Sequence, residues 1–452
     1  MRTPAILLTT LLLSAPAFAQ GGNIAVRAGK LMKADGSILE NGTLVIENGR
    51  ISAISAADGG ELEIPFDVLL NEYPNAVIFP GFYEAHADRG MDRSNENVPI
   101  APFLDVKDSI DPVSFFFEDA LRAGTVAIGI IPGNNTVIGG VGRIVAPSGM
   151  TIEQMTLDDG MGMKVAIGPK RGWSRSAQLA ELRETFDKLD RDLRLLGRKL
   201  LEAGATRADQ KKAGAEEEED LEDGDSWDSA GGVIRYGDDF PGKELISEED
   251  LDDAQRGLVR MLNGEERLWV WAPTASDVLH ANTWLTEHNL LANSILVITS
   301  SAWKAADLLA EMGCAVVIDG DLWHLERDPV SWKEIKTFAP TKLHAAGVPF
   351  AISSVSGRMG PDRLAYQAAL CVREGLPREV ALAAVTTIPA HLWGLDSELG
   401  DFKENADGTF VVFDKDPLAT DAHVLEVWIR GIKSYDRSED QRLQRLEEGR
   451  LK

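Results

Sequence analysis

The chain is poor in cysteine, in positive charge and in long apolar runs. Cys314 and Cys371 are its only cysteines, which excludes a disulfide framework and a cysteine-rich zinc module. It has 46 lysines and arginines against 72 aspartates and glutamates, a formal net charge of -26. Such an acidic protein is repelled by nucleic acid and by anionic membrane surfaces. No apolar run after the first 19 residues is long enough to span a bilayer, which takes about 20 residues.

The first residues have the pattern of a secretory signal peptide. Arg2 is followed by the apolar stretch Ala5–Leu13, and Ala17-Phe-Ala precedes Gln20. A basic start, a short apolar core and a small-residue cleavage site are typical of export signals. The segment predicts cleavage after Ala19 and a secreted or periplasmic mature protein.

The order of the elements predicts an α/β protein. Short strands and turns fill the beginning of the mature chain, where Asn48-Gly49 predicts a hairpin. From Val77 onward, apolar strand-like runs alternate with amphipathic helices, as in a (β/α)8 TIM barrel. Short strands return after Gly400, so we expect a small β-sandwich domain built from both termini. The predicted divisions are a signal peptide 1–19, a first sandwich segment 20–75, the barrel 76–400, a second sandwich segment 401–440 and a tail 441–452.

A charged helical and acidic stretch interrupts the barrel pattern at about 175–260. It contains the run Glu216–Asp225, whose carboxylates lack the alternating spacing of a calcium loop. Blocks of like charge are usually solvated and cannot bury enough apolar surface to fold alone. We therefore expect an insertion in a barrel loop, with poor order near 205–230.

A His-x-Asp pair follows the first predicted barrel strand. His86 and Asp88 are two residues apart after an apolar run that begins at Val77. In a strand, such residues project to the same face. The pair is either a weak metal or proton-transfer site or a hydrogen-bonded pair that holds the loop in place.

Five stretches in the right order resemble the amidohydrolase superfamily, in particular its imidazolonepropionase-like branch. The opening hairpin, the first barrel strand, a glycine-rich loop, a late helix pair and a returning strand are each similar to family segments. Together they cover nearly the whole mature chain. The resemblance implies a barrel that holds a metal ion with histidines and carboxylates at the carboxyl ends of its strands. The five segments are Asn41–Ile54, Pro80–His86, Pro132–Gly142, Leu376–Leu395 and Val411–Leu418.

Most of the ligand positions that this resemblance implies carry other residues. The first-strand His-x-His is His86 and Asp88, and the fourth-strand region offers only Lys164 and Lys170. The fifth, sixth and eighth strands place apolar residues where relatives carry imidazoles and the proton-shuttling aspartate. We expect these apolar residues to line the pocket: Trp271, Pro273, Ile298 and Val355.

Two interpretations of the function follow from the resemblance. In the first, the protein is an exported, catalytically degenerate relative that binds a small molecule or serves as the partner of an active amidohydrolase, with no metal or other cofactor expected. In the second, a rearranged site hydrolyses carbon–nitrogen bonds of cyclic amides or of dipeptide-like substrates, with zinc as cofactor. Asp88, Lys164 and Lys170 are then the catalytic candidates, and His86 and Asp88 a remnant metal site. Because members of the amidohydrolase superfamily commonly form oligomers, the resemblance also implies a homo-oligomer.

Overall fold

The computed structural model describes most of the chain. The predicted signal peptide, the acidic run Glu216–Asp225 and the pocket residue Val355 lie outside the described residues. Those three predictions therefore stay predictions. The described residues are 22–55, 62, 64–66, 68–214, 232–354 and 364–450.

Strands from both termini form one eight-stranded sheet, which confirms the separate strand-rich domain. The central strand β5 pairs parallel with β1 and antiparallel with β16, so it joins the amino-terminal strands to the carboxyl-terminal ones. Asn48 and Gly49 both have positive φ in the β3–β4 hairpin, which confirms that turn. The strands are β1 (Ile24–Met32), β2 (Ile38–Glu40), β3 (Thr43–Glu47), β4 (Arg50–Ile54), β5 (Leu69–Phe79), β16 (Phe410–Phe413), β17 (Val424–Ile429) and β18 (Ile432–Asp436).

A second sheet of eight strands forms the nearly closed barrel, in the order β15-β12-β11-β10-β9-β8-β7-β6. The predicted barrel class is thereby confirmed. Strand β5 runs to Phe79 within the terminal sheet, past the predicted boundary at residue 75, and Pro80-Gly81 leads into the barrel. The strands are β6 (Phe82–Ala87), β7 (Thr125–Ile130), β8 (Ile138–Val145), β9 (Thr156–Ala166), β10 (Leu268–Trp271), β11 (Ser294–Ile298), β12 (Ala315–Asp319) and β15 (Phe350–Ser353).

One strand departs from the all-parallel pattern of a (β/α)8 barrel. Strand β8 pairs antiparallel with both β7 and β9. The connection 131–137 between β7 and β8 is too short for a crossover helix, which a parallel pair requires. The chain therefore reverses direction here, in the glycine-rich segment Pro132–Gly142.

Helices alternate with the barrel strands, and one small hairpin rises between β12 and β15. Among the described residues, no helix is both long and apolar enough to cross a bilayer. The helices are α1 (Phe115–Arg122), α2 (Ile152–Met155), α3 (Arg175–Gly214), α4 (Asp253–Leu262), α5 (Ala275–Glu287), α6 (Ala306–Met312), α7 (Ala339–Ala345), α8 (Leu364–Arg373), α9 (Arg378–Ala383), α10 (Thr387–Trp393) and α11 (Gln441–Arg450), and the hairpin strands are β13 (Trp323–Arg327) and β14 (Glu334–Phe338).

The long helix α3 opens the predicted insertion. Its first half packs on the protein through Leu182, Phe186, Leu189 and Leu193, all buried. Their spacing of three and four residues places them on one face of the helix. The charged side chains between them face solvent, which explains the high charge of this stretch.

The barrel closes between its first strand, β6, and its last strand, β15. Side-chain hydrogen bonds and the turn between α9 and α10 connect these two strands. The backbone N–H groups of Tyr83 and Ile352 donate to the carbonyls of Val385 and Ala384, in the turn between α9 and α10. The Ser353 hydroxyl donates to the His86 carbonyl at 2.6 Å. These bonds link β6 to β15 and bring His86 to the barrel interior.

Candidate functional site

A buried lysine lies at the centre of the barrel. Lys164 is the third residue from the end of β9 and has no exposed surface. Its Nζ lies 2.8 Å from Nε2 of His86, which comes from β6. A charged lysine has only hydrogens to donate, so Nε2 then accepts and the ring proton is on Nδ1. The pair joins two strands across the barrel, and both groups were predicted as site residues.

Two carboxylates act on the Lys164 amine. Asp88 follows β6 and is half-buried, and Asp319 ends β12 and is buried. Burial raises the pKa of Asp88, and the charges of Lys164 and Arg89 lower it in part. Burial likewise raises the pKa of Asp319 to about 7, opposed by the charge of Lys164. One imidazole, one amine and two carboxyl groups thus form a single electrostatic cluster, which we call the lysine cluster.

Burial also governs the two basic members of the lysine cluster. It lowers the pKa of Lys164 to about 7, although the charges of Asp319 and Asp88 act in the opposite direction. The pKa of His86 is held well below its ordinary value, first by burial and then by the Lys164 charge. The imidazole is therefore neutral at neutral pH, and the Lys164 amine and the Asp319 carboxyl exchange protons near that pH.

The segment between β7 and β8 lies against both carboxylates of the lysine cluster. A Cβ on Gly133 would lie 2.6 Å from Nδ2 of Asn95 and 2.7 Å from Oδ2 of Asp88, so a larger residue there would require these side chains to shift. The next residue, Asn134, donates from Nδ2 to Oδ2 of Asp319 at 3.2 Å. The loop before β8 therefore holds Asp319 by a hydrogen bond and lies close to Asp88.

Glu84 lies on β6 two residues before His86. It has no exposed surface and accepts hydrogen bonds from the backbone N–H of Ser354, at 3.1 Å to each oxygen, and from the Ser354 hydroxyl. Burial raises the pKa of Glu84 to about 8, and its hydrogen bonds to Ser354 and Ser353 limit the rise. The carboxyl is therefore largely protonated at pH 7, and it joins β6 to the segment that follows β15.

The remaining predicted residues lie apart from the lysine cluster or at its border. The Trp271 ring is half-buried, with its centre 6.0 Å from Nζ of Lys164. The Pro273 carbonyl accepts hydrogen bonds from the hydroxyls of Thr299 and Ser301. Ile298 is fully buried in the hydrophobic core. Lys170 lies beyond β9 with its Nζ 4.6 Å from the centre of the Trp173 ring.

The sequence analysis missed Glu84 and Asp319. Glu84, His86 and Asp88 alternate along one strand, so the same two-residue spacing that selected the last two also selects the first. Asp319 is the last residue of an apolar barrel strand, a position at which polar side chains commonly carry function. Both signals are present in the sequence.

The donors of the lysine cluster do not fit the metal site that the resemblance implies. Within the described ranges, no three histidine, cysteine, aspartate or glutamate side chains are grouped to hold a metal ion. Zinc sites need three or four such ligands at one point. The Nε2 lone pair of His86 is also engaged by the Lys164 amine, so a metal ion at this nitrogen would have to displace a cationic donor.

Comparisons with known proteins relate the chain to amidohydrolases. No family model matches it. A segment of 78 residues is 38% identical to the amidohydrolase tasK of Hapsidospora irregularis, and this match spans 17% of the chain and 8% of that relative. Among solved structures, an amidohydrolase from Thermotoga maritima MSB8 has a TM-score of 0.70 and 21% identity, over 92% of this chain and 100% of that one. An adenosine deaminase from Xanthomonas campestris is 16% identical with a TM-score of 0.49, over 95% and 97% of the two chains.

The likeness to the Thermotoga maritima protein agrees with the barrel and the separate sheet from both termini. It extends over 92% of this chain and the whole length of the Thermotoga maritima protein. It confirms the resemblance that the ordered sequence segments predicted, at the level of the fold. The chain therefore shares the fold of the Thermotoga maritima amidohydrolase, with a lysine cluster inside its barrel.

Proposed function

We propose that this protein is a degenerate amidohydrolase that binds a small molecule beside Lys164 and does not carry out the metal-dependent hydrolysis that the resemblance implies. The observation that supports the proposal is the 2.8 Å contact between Lys164 and His86. It ties up the one histidine available for a metal ion and supplies a positive charge of its own. We propose no resident transition metal at this site.

Buried polar atoms without hydrogen-bond partners, in the lysine cluster and beside it, support a bound ligand. Nδ1 of His86, Oδ1 of Asn134 and Oδ1 of Asp319 are buried and have no hydrogen-bond partner among the described residues. Leaving one such group unpaired costs about 1–3 kcal/mol, so native proteins satisfy them with ligand atoms or ordered water. A small polar molecule that offers both donors and acceptors would complete these bonds.

Metal analysis of the purified protein, together with His86→Ala, tests the proposal. We expect no stoichiometric zinc, and we expect the variant to leave metal content and any amidase activity nearly unchanged. The exposed His391, with its side chain 75% accessible, gives a matched control in His391→Ala. Stoichiometric zinc that is lost in His86→Ala and retained in His391→Ala would show that the proposal is wrong.

A second candidate function is hydrolysis of carbon–nitrogen bonds by a rearranged site, with zinc in the form that the resemblance implies. The buried Asp319 favours it, because its carboxyl and the Lys164 amine both titrate near pH 7, as general acids and bases do. Assays with cyclic amides and with dipeptides test this candidate. Activity that Lys164→Met abolishes and Lys170→Met retains would replace the first proposal.

We also propose that the protein is exported. The pattern of Arg2, the apolar stretch and Ala17–Ala19 supports cleavage after Ala19. Expression of the full chain in a bacterial host, followed by cell fractionation and amino-terminal sequencing, tests it. We expect the mature protein to begin at Gln20, outside the cytoplasm, and an uncleaved cytoplasmic chain would contradict this.

A further inference from the structure

We propose that a cavity outside the barrel, along helix α1, binds an elongated carboxylate with an unbranched apolar chain. The cavity has a volume of about 940 Å³ and lies between α1, α8 and the connection from β16 to β17. We call it the α1 cavity. Of the lysine cluster, only Asp88 lies at its border. The inference therefore goes beyond the proposed function and does not depend on it.

Contacts at its two ends show that the α1 cavity runs the length of the helix. Gly90 lines one end, and a Cβ on this residue would lie 2.6 Å from the ring of Phe117 in the first turn of α1. At the other end, Arg122 is the last residue of α1, and its Nε donates to Asp440 at 2.6 Å. The Asp440 N–H donates to the carbonyl of Arg437, which lines this end. A helix of eight residues is about 12 Å long, so a ligand that fills the cavity is elongated.

Apolar groups form the long walls of the α1 cavity. Phe413, the last residue of β16, and Val424, the first residue of β17, line it and are buried. Helix α8 contributes Ala365 and Ala369, which are four residues apart and so lie on one face of that helix. These short side chains leave space between the helix and the strands. The apolar chain of the ligand would fill this space and be removed from water.

Arg437 offers an unpaired positive charge at its end of the α1 cavity. Arg122 pairs with both Asp119 and Asp440. Arg442 donates a further hydrogen bond to Asp119 at 2.8 Å. The two aspartates are thus matched by two arginines, whereas the half-buried Arg437 has no side-chain ion pair or hydrogen bond among the described residues. A guanidinium group can donate two parallel hydrogen bonds to one carboxylate, so the ligand head would complete this end.

The opposite end of the α1 cavity suits the apolar end of the ligand. Asp88, Arg89 and Asp92 line it, so two carboxyl groups face one guanidinium group. A second anionic group on the ligand would gain little there. Phe115 and Phe116, the first residues of α1, line the same end and offer apolar contacts. We therefore expect one carboxylate at Arg437 and the chain directed toward the two phenylalanines.

Calorimetric titration of the full chain with octanoate tests the inference. Octanoate is used at concentrations at which it is monomeric, and we expect one molecule to bind per chain. Acetate supplies the head without the chain, and octanol supplies the chain without the charge. Each should bind at least about ten-fold more weakly than octanoate, because each makes only part of the contacts.

Two pairs of variants locate the site. Arg437→Gln should weaken octanoate binding at least about ten-fold and leave octanol binding nearly unchanged, because only the charged contact is lost. Its control is Arg191→Gln, which removes an exposed arginine that pairs with Glu184 on α3. Ala369→Phe should fill the cavity and remove the binding of both compounds. Its control is Ala180→Phe, at an exposed position of α3, which should bind like the unaltered chain.

Three results would overturn the inference. The first is the absence of saturable octanoate binding by the unaltered chain, and the second is equal affinity for octanoate and octanol. The third is octanoate binding that Arg437→Gln leaves unchanged or that persists in folded Ala369→Phe, since the ligand would then lie elsewhere. If Ala369→Phe does not fold, Arg437→Gln and the selectivity of the unaltered chain decide the question.

Discussion

The barrel interior has two sides that are built in different ways. Strands β6, β9 and β12 contribute His86, Lys164 and Asp319, which are buried and ionisable. Strands β10 and β11 end in Trp271 and Ile298, and Ile298 belongs to the hydrophobic core. The apolar side is held by burial, whose contribution does not depend on pH. The polar side contains Lys164 and Asp319, whose pKa values are both about 7, so of the two sides this one makes stability depend on pH near neutrality.

Replacing Lys164 by Met should have the largest effect. It leaves the buried Asp319 without the nearby amine whose charge lowers the pKa of that carboxyl, and an uncompensated buried charge costs about 3–5 kcal/mol. We expect the free energy of unfolding to fall by about 4 kcal/mol at pH 8. The loss should be smaller at pH 5, because Asp319, whose pKa is raised to about 7, is then protonated and needs no partner. Urea unfolding at both pH values measures the difference.

Lys170→Met is the control for this experiment, since its amine lies over the Trp173 ring outside the lysine cluster. It should change stability by less than about 0.5 kcal/mol. The double variant Lys164→Met/Asp319→Asn should regain some of the loss at pH 8, because no charge is then left unpaired. Equal losses at pH 5 and pH 8 for Lys164→Met would contradict the electrostatic explanation.

Glu84→Gln should remove a second pH dependence. The folded state raises the pKa of Glu84 from 4.5 to about 8, so it holds a proton that the unfolded chain releases above pH 4.5. A raised acid pKa stabilises the fold fully below 4.5, and this stabilisation is lost as pH rises to 8. Between pH 5 and pH 8 the unaltered chain should therefore lose about 3 kcal/mol through this group. Lys164, whose folded pKa is lowered, contributes stability that grows as pH rises above 7.

Because Lys164 is unchanged in Glu84→Gln, the comparison with the unaltered chain isolates the carboxyl group. The amide resembles the protonated acid and still accepts from the Ser354 N–H. Between pH 5 and pH 8, the free energy of unfolding of Glu84→Gln should fall by about 3 kcal/mol less than that of the unaltered chain. The same pH slope in both proteins would show that Glu84 is not protonated in the fold.

Among the substitutions inside the barrel, Ile298→Val should have the smallest effect. Loss of one buried methyl group on the apolar side costs about 0.5–1.5 kcal/mol. Because no ionisable group is removed, the loss should be equal at pH 5 and pH 8. Urea unfolding checks this, and a loss that changes with pH would mean that the two sides of the barrel are coupled more closely than their contacts indicate.

More of the fold than of the site could be predicted from the sequence. The alternating runs and the Asn48-Gly49 hairpin depend on local periodicity, which a sequence displays directly. Antiparallel β8 was not predicted, because only the short connection 131–137 indicates it. Lys164 and Lys170 were equal candidates in the sequence, since only the end of β9 at Ala166 separates a buried lysine from one beyond the strand. Asp319 was missed because its partners come from strands more than 150 residues earlier.

The position of β5 has a consequence for the order in which the chain folds. On a ribosome, β5 can pair with β1 as soon as both have emerged. Its other edge must wait for Phe410–Phe413, the strand β16, until nearly the whole chain has been made. During that time the edge presents unpaired N–H and C=O groups to any neighbouring strand, a known route to aggregation. The strands after Gly400 therefore close the molecule, and a nascent chain cut short before them would carry an open sheet edge that nothing later in the same chain can cover.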